Sequence, residues 1–180
     1  MAFSSEQEYR TARLRLRQVV IADAVEIARL ANDPIIARMT TRIPYPYELA
    51  HATGWLNGLP ESNETAFAAL EGPRVVGVGG LSMHTPQRAE IGYWVGAAYR
   101  RRGFAKEIAG ALIDFAFSRA GVEELIVSHF IDNPASERVI KSFNFTFLEH
   151  IDQWSAGRGT RVASAVYLMT RDAAQLRHEG

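Results

Sequence analysis

The sequence predicts a domain of mixed α/β (α+β) class, in which a mostly antiparallel twisted sheet of about seven strands carries helices on both faces. Its 180 residues fit one domain, and a hydrophobic content of 47% is enough for one core. Segments with strand and helix periodicity also alternate over most of the chain. We therefore expect a single domain over residues 1–180, with its core at about 11–170.

The first elements are a strand and two helices. Residues 13–17 alternate charged and apolar side chains, which predicts a strand with one buried face. Apolar residues then recur at helical spacing until Asn32-Asp33-Pro34, where a helix must end. Residues 36–60 hold three prolines around another predicted helix. This stretch is either a connecting helical hairpin or a wall for a second substrate.

Residues 65–95 have the character of three antiparallel strands. Predicted strands at 66–70, 75–83 and 89–95 are separated by turns at 71–74 and 85–88. Glycines at 77, 79 and 80 lie within the second strand instead of opening a helix, which argues against a dinucleotide-binding loop. A bulge or close packing is the expected reason for them.

A helix and a parallel strand are predicted next. Apolar residues from Phe104 to Arg119 follow one helical face, and Gly121 closes the helix. The short strand Glu124–Ser128 is reached through this helix. It should therefore lie parallel to the strand that precedes the helix, because such crossovers are right-handed.

The last predicted elements are a helix and two strands. Asn133-Pro134 opens the helix, since proline suits the first helical position. Asn144 follows it where a left-handed cap residue is expected. Strands at 145–148 and 162–169, separated by a turn at 155–159, close the domain.

Composition excludes several classes of protein. Twenty basic and twenty acidic residues cancel, so the whole molecule has no net field to draw it to nucleic acid or an anionic membrane. Cysteine is absent, and the five histidines show no paired spacing, so we predict no metal. The first residues lack the pattern of a secretion signal, and no apolar stretch is long enough for a membrane span. These features predict a cytoplasmic protein.

A basic loop stands at the start of the helix predicted from Phe104. A helix N-terminus offers unpaired amides and the positive end of the helix dipole. Gly103 and Ala105 leave room for an anion to approach these amides, and the nearby cations are Arg100, Arg101, Arg102 and Lys106. Anion binding is favoured over a solvated basic turn, although the loop alone does not identify the anion.

The spacing of Arg100, Gly103 and Ala105 resembles the loop that holds the coenzyme A pyrophosphate in the GCN5-related N-acetyltransferase (GNAT) family. Residues 90–95 resemble the fourth strand of its ribosomal-protein N-acetyltransferase-like branch, and residues 133–145 resemble that branch's second conserved block. The order of elements from Thr11 to Met169 also agrees. The resemblance implies the GNAT fold, with a splayed parallel strand pair that binds acetyl-CoA, and makes a homodimer plausible.

The resemblance also implies roles for individual residues. Ser136 would lie close to the coenzyme sulfur as a catalytic hydroxyl. Glu90, at the start of the strand facing the thioester, is the predicted base for the amine, with His84 as the alternative. The residues predicted to bind the coenzyme are Trp94 and Val95 through their main chain, Arg100, Arg101, Arg102, Gly103, Phe104, Ala105, Lys106, Asn133 and Arg138. The alternatives without function are a half-exposed strand-end Glu90 in a salt bridge, Asn133 and Ser136 only as the cap and first turn of a helix, and Arg138 on a solvated helix face.

The function implied is transfer of an acetyl group from acetyl-CoA, as co-substrate, to a primary amine. The acceptor would be a protein N-terminal α-amino group, as in the branch resembled, or a small-molecule amine. A coenzyme A-binding sensor without turnover and a scaffold with a basic contact loop are the alternatives from other classes.

Overall fold

An eight-stranded sheet organises the chain in a computed structural model that describes residues 8–118 and 121–175. The strand order is β1-β2-β3-β4-β5-β6-β8-β7, and each pair is antiparallel except β5 with β6. The strands are β1 (Tyr9–Arg10), β2 (Arg15–Gln18), β3 (Glu64–Glu71), β4 (Arg74–Met83), β5 (Arg88–Val95), β6 (Glu124–Phe130), β7 (Thr146–Ser155) and β8 (Thr160–Thr170).

Helices cover both faces of this sheet, as predicted. They are α1 (Ala24–Ala31), α2 (Pro34–Met39), α3 (Leu49–Gly58), α4 (Phe104–Ser118), α5 (Pro134–Lys141) and α6 (Arg171–Gln175). Arg119, the predicted end of α4, lies outside the described residues, and Gly121 has the left-handed φ of 90° expected after a helix. No helix in the described ranges is long and apolar enough to cross a bilayer.

The alternation of side chains along the strands divides the core between the two faces. In β3, Phe67 and Ala69 belong to the cluster packed against α4, whereas Ala68 and Leu70 belong to the cluster that contains Leu30 of α1. A third cluster joins α1 and α3 over Val78 of β4. Both faces are buried because the central strands are apolar at consecutive positions.

The parallel pair β5–β6 separates halfway along its length. Pairing runs from Arg88 opposite Glu124 to Ile91 opposite Val127 and then stops, although β5 continues to Val95 and β6 to Phe130. Beyond that point β5 remains bonded to β4 and β6 to β8. The inner edges of both strands therefore expose backbone groups to a V-shaped gap, as the predicted splayed pair requires.

The sheet agrees with the expected one of about seven strands, whereas the predicted length of β7 was too short and the predicted conformation of Asn144 was wrong. The sheet has eight strands because the two-residue β1 adds to its edge, and β7 extends to Ser155 instead of ending at residue 148. Asn144 is not left-handed, since Arg101 is the one non-glycine residue of positive φ among those described. A left-handed cap is unnecessary because the last carbonyls of α5 already have donors. The N–H of Ser142 donates to the carbonyls of Arg138 and Val139, and the N–H of Phe143 donates to the carbonyl of Ile140.

The glycines within β4 are explained by packing. A Cβ on Gly77 would lie 2.4 Å from the Trp94 carbonyl oxygen, and one on Gly79 would lie 2.6 Å from the Ile108 side chain. Neither distance is sterically allowed without movement of the neighbouring strand or helix. The expectation of close packing is confirmed.

Candidate active site

A groove of about 570 Å³ opens where β5 and β6 part. Its lining comes from the second half of β5, the end of β6, the start of α4, α5 and α2. The groove therefore passes through the sheet and joins the face that carries α4 to the face that carries α1 and α3.

The start of α4 forms one end of the groove. Gly103, immediately before the helix, has a φ of 82°, and Arg101 has a φ of 62°. The N–H groups of Lys106 and Glu107 bond the Gly103 carbonyl, which begins the helical ladder. The preceding amides have no partner within the helix and face the groove with Gly103, Phe104 and Ala105, which all line it. This geometry suits a phosphate group.

The four cations of this loop point in different directions. Arg101 and Lys106 are exposed and line the groove. Arg102 does not line it, because its guanidinium pairs with Glu71 at 3.0 Å and stacks 4.5 Å from the Phe104 ring. Arg13 lies 4.8 Å from the same ring and donates to the Arg102 carbonyl. Arg102 thus supports the loop, while the cations available to a ligand lie on the groove side.

Arg100 lines the groove and also holds α2 in place. Its Nη2 lies 2.8 Å from Asp33 Oδ2. Asp33 is the N-cap of α2, and its other oxygen accepts from the amides of Ile35 and Ile36. The start of α4 and the wall formed by α2 are therefore linked through one carboxylate.

The backbone of β5 presents an amide to the gap. Gly96 N–H donates to the Val76 carbonyl of β4, and backbone groups alternate sides along a strand. The amides of Val95 and Tyr93 consequently point away from β4, into the V, while that of Trp94 points towards β4. Trp94 reaches the groove with its ring, which packs between the clusters of the α1–α3 face.

The first turn of α5 brings the hydroxyl of Ser136 close to that of Tyr93 of β5, on the α4 side of the sheet. Asn133 caps the helix, with its Oδ1 accepting from the Ser136 amide at 3.2 Å. Ser136 Oγ lies 3.3 Å from the Tyr93 hydroxyl. Burial raises the pKa of Tyr93 to about 12 despite the hydrogen bond with Ser136. The phenol therefore stays protonated at neutral pH and can donate. Arg138, farther along α5, is exposed at the groove.

Glu90 lies on the opposite face of β5. One carboxylate oxygen is 3.0 Å from His84 Nε2, and the other accepts from Ser128 Oγ at 3.2 Å. Ser128 Oγ is also 3.3 Å from the side-chain amide of Gln153 on β7. Both residues named as candidate bases therefore belong to one hydrogen-bonded group, with Glu90 towards the groove and His84 nearer solvent.

The β7–β8 turn packs against α2 and the residues that follow it. Ala156 N–H donates to the Thr41 carbonyl, and a Cβ on Gly157 would lie 2.3 Å from the Ala37 carbonyl oxygen. Arg158 binds both oxygens of Asp132, beside the cap of α5, and its Nε donates to the Arg38 carbonyl. Hydrogen bonding to Arg158 holds the pKa of Asp132 below its ordinary value. The turn, α2 and the start of α5 thus form one unit.

Sequence reasoning missed Tyr93, Ser128 and Gln153. Strand alternation could have placed Tyr93 on the face opposite Glu90, and Ser128 at the point where the parallel strands part. No local signal could have found Gln153, because its segment was not predicted to be a strand. Among the residues described, no group of three or more His, Asp or Glu side chains is placed to hold a metal ion.

Comparison with known proteins assigns this arrangement to a class. The acetyltransferase (GNAT) domain model matches residues 13–146. An uncharacterized N-acetyltransferase, p20 of Bacillus licheniformis, is 25% identical over 143 residues, which cover 75% of this chain and 80% of that protein.

Solved structures share the fold at low sequence identity. The ribosomal L7/L12 α-N-protein acetyltransferase RimL, in complex with coenzyme A, has a TM-score of 0.81 at 17% identity, covering 93% of this chain and 99% of RimL. Spermidine N-acetyltransferase from Vibrio cholerae, in complex with coenzyme A and spermine, has a TM-score of 0.78 at 17% identity, covering 92% and 99%.

The fold and the groove therefore define an N-acetyltransferase. The chain belongs to the GNAT family, as the match over most of its length shows.

Proposed function

We propose that this protein transfers the acetyl group of acetyl-CoA to a primary amine at the gap between β5 and β6. The observation that carries the proposal is the groove itself, which connects the anion-binding start of α4 with the carboxylate of Glu90 on the other face of the sheet. Acetyl-CoA enters as co-substrate, and no metal takes part. The transfer site belongs to a single domain over residues 1–180.

The acceptor amine needs a base. An α-amino group has a pKa of about 7.7–8.0 and a lysine amine about 10.4, so much or most of either is protonated at neutral pH. Glu90 takes the proton, directly or through water, and the neutral nitrogen attacks the thioester carbonyl. Because the amide of Val95 points into the gap, it is positioned to stabilise the negative oxygen that develops.

The bond between carbonyl carbon and sulfur then breaks, and the leaving thiolate needs a proton. Ser136 and Tyr93 are the hydroxyl pair on that side of the groove. Ser136 donates a hydrogen bond to the sulfur, supported by the neutral Tyr93, and the second proton lost by the acetylated nitrogen reaches the thiolate through water or these hydroxyls, which end unchanged. Asn133 fixes this pair through its cap, and Arg100, Arg101, Lys106 and Arg138 neutralise the phosphates. Arg102 contributes by supporting the Phe104 ring from outside the groove.

The Ser136→Ala variant is expected to lower kcat about tenfold while the KM for acetyl-CoA stays within about twofold, because one charge-assisted hydrogen bond is lost only as the thiolate forms. Tyr93→Phe should have a smaller effect in the same direction. Since the pKa of Tyr93 is about 12, neither variant should change the pH profile between pH 6 and pH 9. Full turnover by the double variant would mean that water protonates the thiolate.

The acceptor is a protein N-terminal α-amino group or a small-molecule amine. Relatives of similar fold act on each kind, since one is named for a ribosomal protein and another for spermidine. An amine panel of peptides, free lysine, aminoglycosides and simple amines, with coenzyme A release as the readout, tests the transfer. If the protein binds acetyl-CoA tightly but no amine causes release of coenzyme A, it is not an enzyme for these amines, and the coenzyme A-binding sensor is the function that stands.

A homodimer is proposed on the evidence of β7, the terminal strand of the sheet. Residues 146–152 and Trp154 are exposed, and the large apolar side chains among them are Phe147, Leu148, Ile151 and Trp154. An edge strand of ten residues with unpaired backbone and apolar side chains readily pairs with another copy.

Trp154→Lys is the corresponding test of assembly. A charged side chain on the edge opposes pairing, so the variant should shift from dimer to monomer by light scattering without losing its fold. Ile35→Lys, at a similarly exposed apolar residue on α2, is the matched control and should remain dimeric. A monomeric wild-type protein at micromolar concentration would contradict the dimer.

A further inference from the structure

Gly92 is a glycine that the fold does not require. It lies in the middle of β5, is exposed, and does not have a positive φ. A Cβ built on Gly92 would meet no atom within 4 Å. Gly77 and Gly79 of the neighbouring strand differ, since a Cβ on either would collide with backbone or with α4. Neither packing nor backbone conformation therefore explains the missing side chain at position 92.

The open space over Gly92 belongs to the groove. Gly92 lines it, and is the first residue of β5 after the last pair with β6. Side chains alternate along a strand, so a side chain at position 92 would project on the same face as Glu90 and Trp94. Ser128, whose hydroxyl reaches Glu90, lies across the gap on this face. The space is therefore beside the carboxylate and away from Ser136.

The charged group beside this space is the carboxylate of Glu90, which His84 contacts from the solvent side. Glu90 is the charged residue of the groove lining on this face, whereas the cations of the lining lie on the phosphate loop and α5. Arg42, which also feels the charge of Glu90, is held by Glu64 at 2.7 Å. Arg38 at the end of α2 is bound to Asp132. The α2 wall contributes Ile36 and Met39. An ammonium group is favoured here, whereas a carboxylate or phosphate on this face would lie beside Glu90 and away from the lining cations of the phosphate loop and α5.

We propose that the space over Gly92 is the acceptor subsite, that Gly92 sets its size, and that it takes a primary ammonium whose neighbouring group is uncharged. This inference rests on the proposed acetyl transfer and narrows its acceptor class. Glu90 attracts the ammonium, the apolar wall of α2 contacts the attached group, and the absence of a side chain at position 92 lets the nitrogen reach the thioester.

The test of charge compares n-butylamine with 4-aminobutyrate, which share a primary amine on a four-carbon chain and differ by a terminal carboxylate. With saturating acetyl-CoA, coenzyme A release should be at least about tenfold faster in kcat/KM for n-butylamine. Equal rates, or a faster rate for 4-aminobutyrate, would overturn the assigned class.

The test of size uses Gly92→Ala and Gly92→Leu. Both should bind coenzyme A within about threefold of wild type by calorimetry, because the added side chain faces away from the phosphate end. Gly92→Ala should raise the KM for n-butylamine several-fold, and Gly92→Leu should reduce kcat/KM at least about 50-fold. Gly54→Leu, at an equally open glycine on α3 outside the groove, is the control and should behave as wild type.

The outcomes separate this inference from the proposed function. Wild-type rates in Gly92→Leu would overturn the subsite, and so would loss of coenzyme A binding in Gly92→Ala with the fold retained. If wild type acetylates other amines of the panel but not n-butylamine, the assigned class is wrong and acetyl transfer stands. If no amine of the panel causes wild type to release coenzyme A, the proposed function fails and the subsite fails with it.

Discussion

Gly103→Val is expected to weaken coenzyme A binding at least about 100-fold, equivalent to about 2.8 kcal/mol. Two physical effects combine at this residue. The φ of 82° is a conformation that a β-branched residue adopts only with strain. A Cβ would also lie 3.1 Å from Arg13 Nη2, which supports the loop by donating to the Arg102 carbonyl. The first amides of α4 would be covered or displaced, and the phosphates would lose their main contacts.

Gly72→Val separates lost binding from general backbone strain. Gly72 has a φ of 58° in the β3–β4 turn, outside the groove, and a Cβ there meets no atom within 4 Å. Its variant should lose stability through the same kind of strain yet bind coenzyme A normally. Calorimetric titration of both variants, after circular dichroism has established folding, measures the difference. A folded Gly103→Val protein with wild-type affinity would show that the loop does not hold the phosphates.

The start of α4 could be predicted because its signals are local. A strand, a glycine and a helical apolar pattern follow one another within residues 89–116, and helix ends depend on nearby sequence. The direction of Arg102 could not be predicted. Its partner Glu71 is 31 residues away and reaches it only once the sheet has formed.

The length of β7 was underestimated for a physical reason. Prediction of a strand depends on alternating burial, and residues 146–152 are exposed on both faces. The strand exists because β8 supplies its backbone partners, which is a tertiary effect. Because β7 has no alternating burial, the sequence could not place Gln153, or the hydrogen-bonded group around Glu90 to which it belongs.

Glu90 was predicted to be the base from its place in β5, and the structure adds its hydrogen-bond partners. Glu90 is the third residue of the strand, a position near its start that the sequence could identify. Its contact with Ser128, and the contact of Ser128 with Gln153, join three strands, and no spacing along the chain encodes them. His84 was the alternative candidate for the base. Its Nε2 lies 3.0 Å from a carboxylate oxygen of Glu90, so a proton taken up by Glu90 can leave through His84.

Glu90→Gln is expected to lower kcat at pH 7 by about 100-fold or more, the scale of a lost general base. The substitution keeps the shape of the side chain and its contact with Ser128 but cannot accept the proton of the ammonium group. The loss should be greatest at low pH and diminish as pH rises, because the free amine then becomes abundant without a base. Measurement of kcat against pH from 6 to 9.5, with wild type in parallel, tests both the size and the direction.

Two further variants decide which group is the base. Glu124→Gln, at a half-buried carboxylate that starts the neighbouring strand and pairs with Arg88, should keep the wild-type profile. His84→Gln should lower kcat less than Glu90→Gln, because the carboxylate would still face the amine and could release its proton to water. If His84→Gln has the larger effect, the histidine is the base and Glu90 orients it. If Glu90→Gln follows the wild-type profile at full rate, the amine reaches the thioester already deprotonated, and Glu90 serves only to attract the cation.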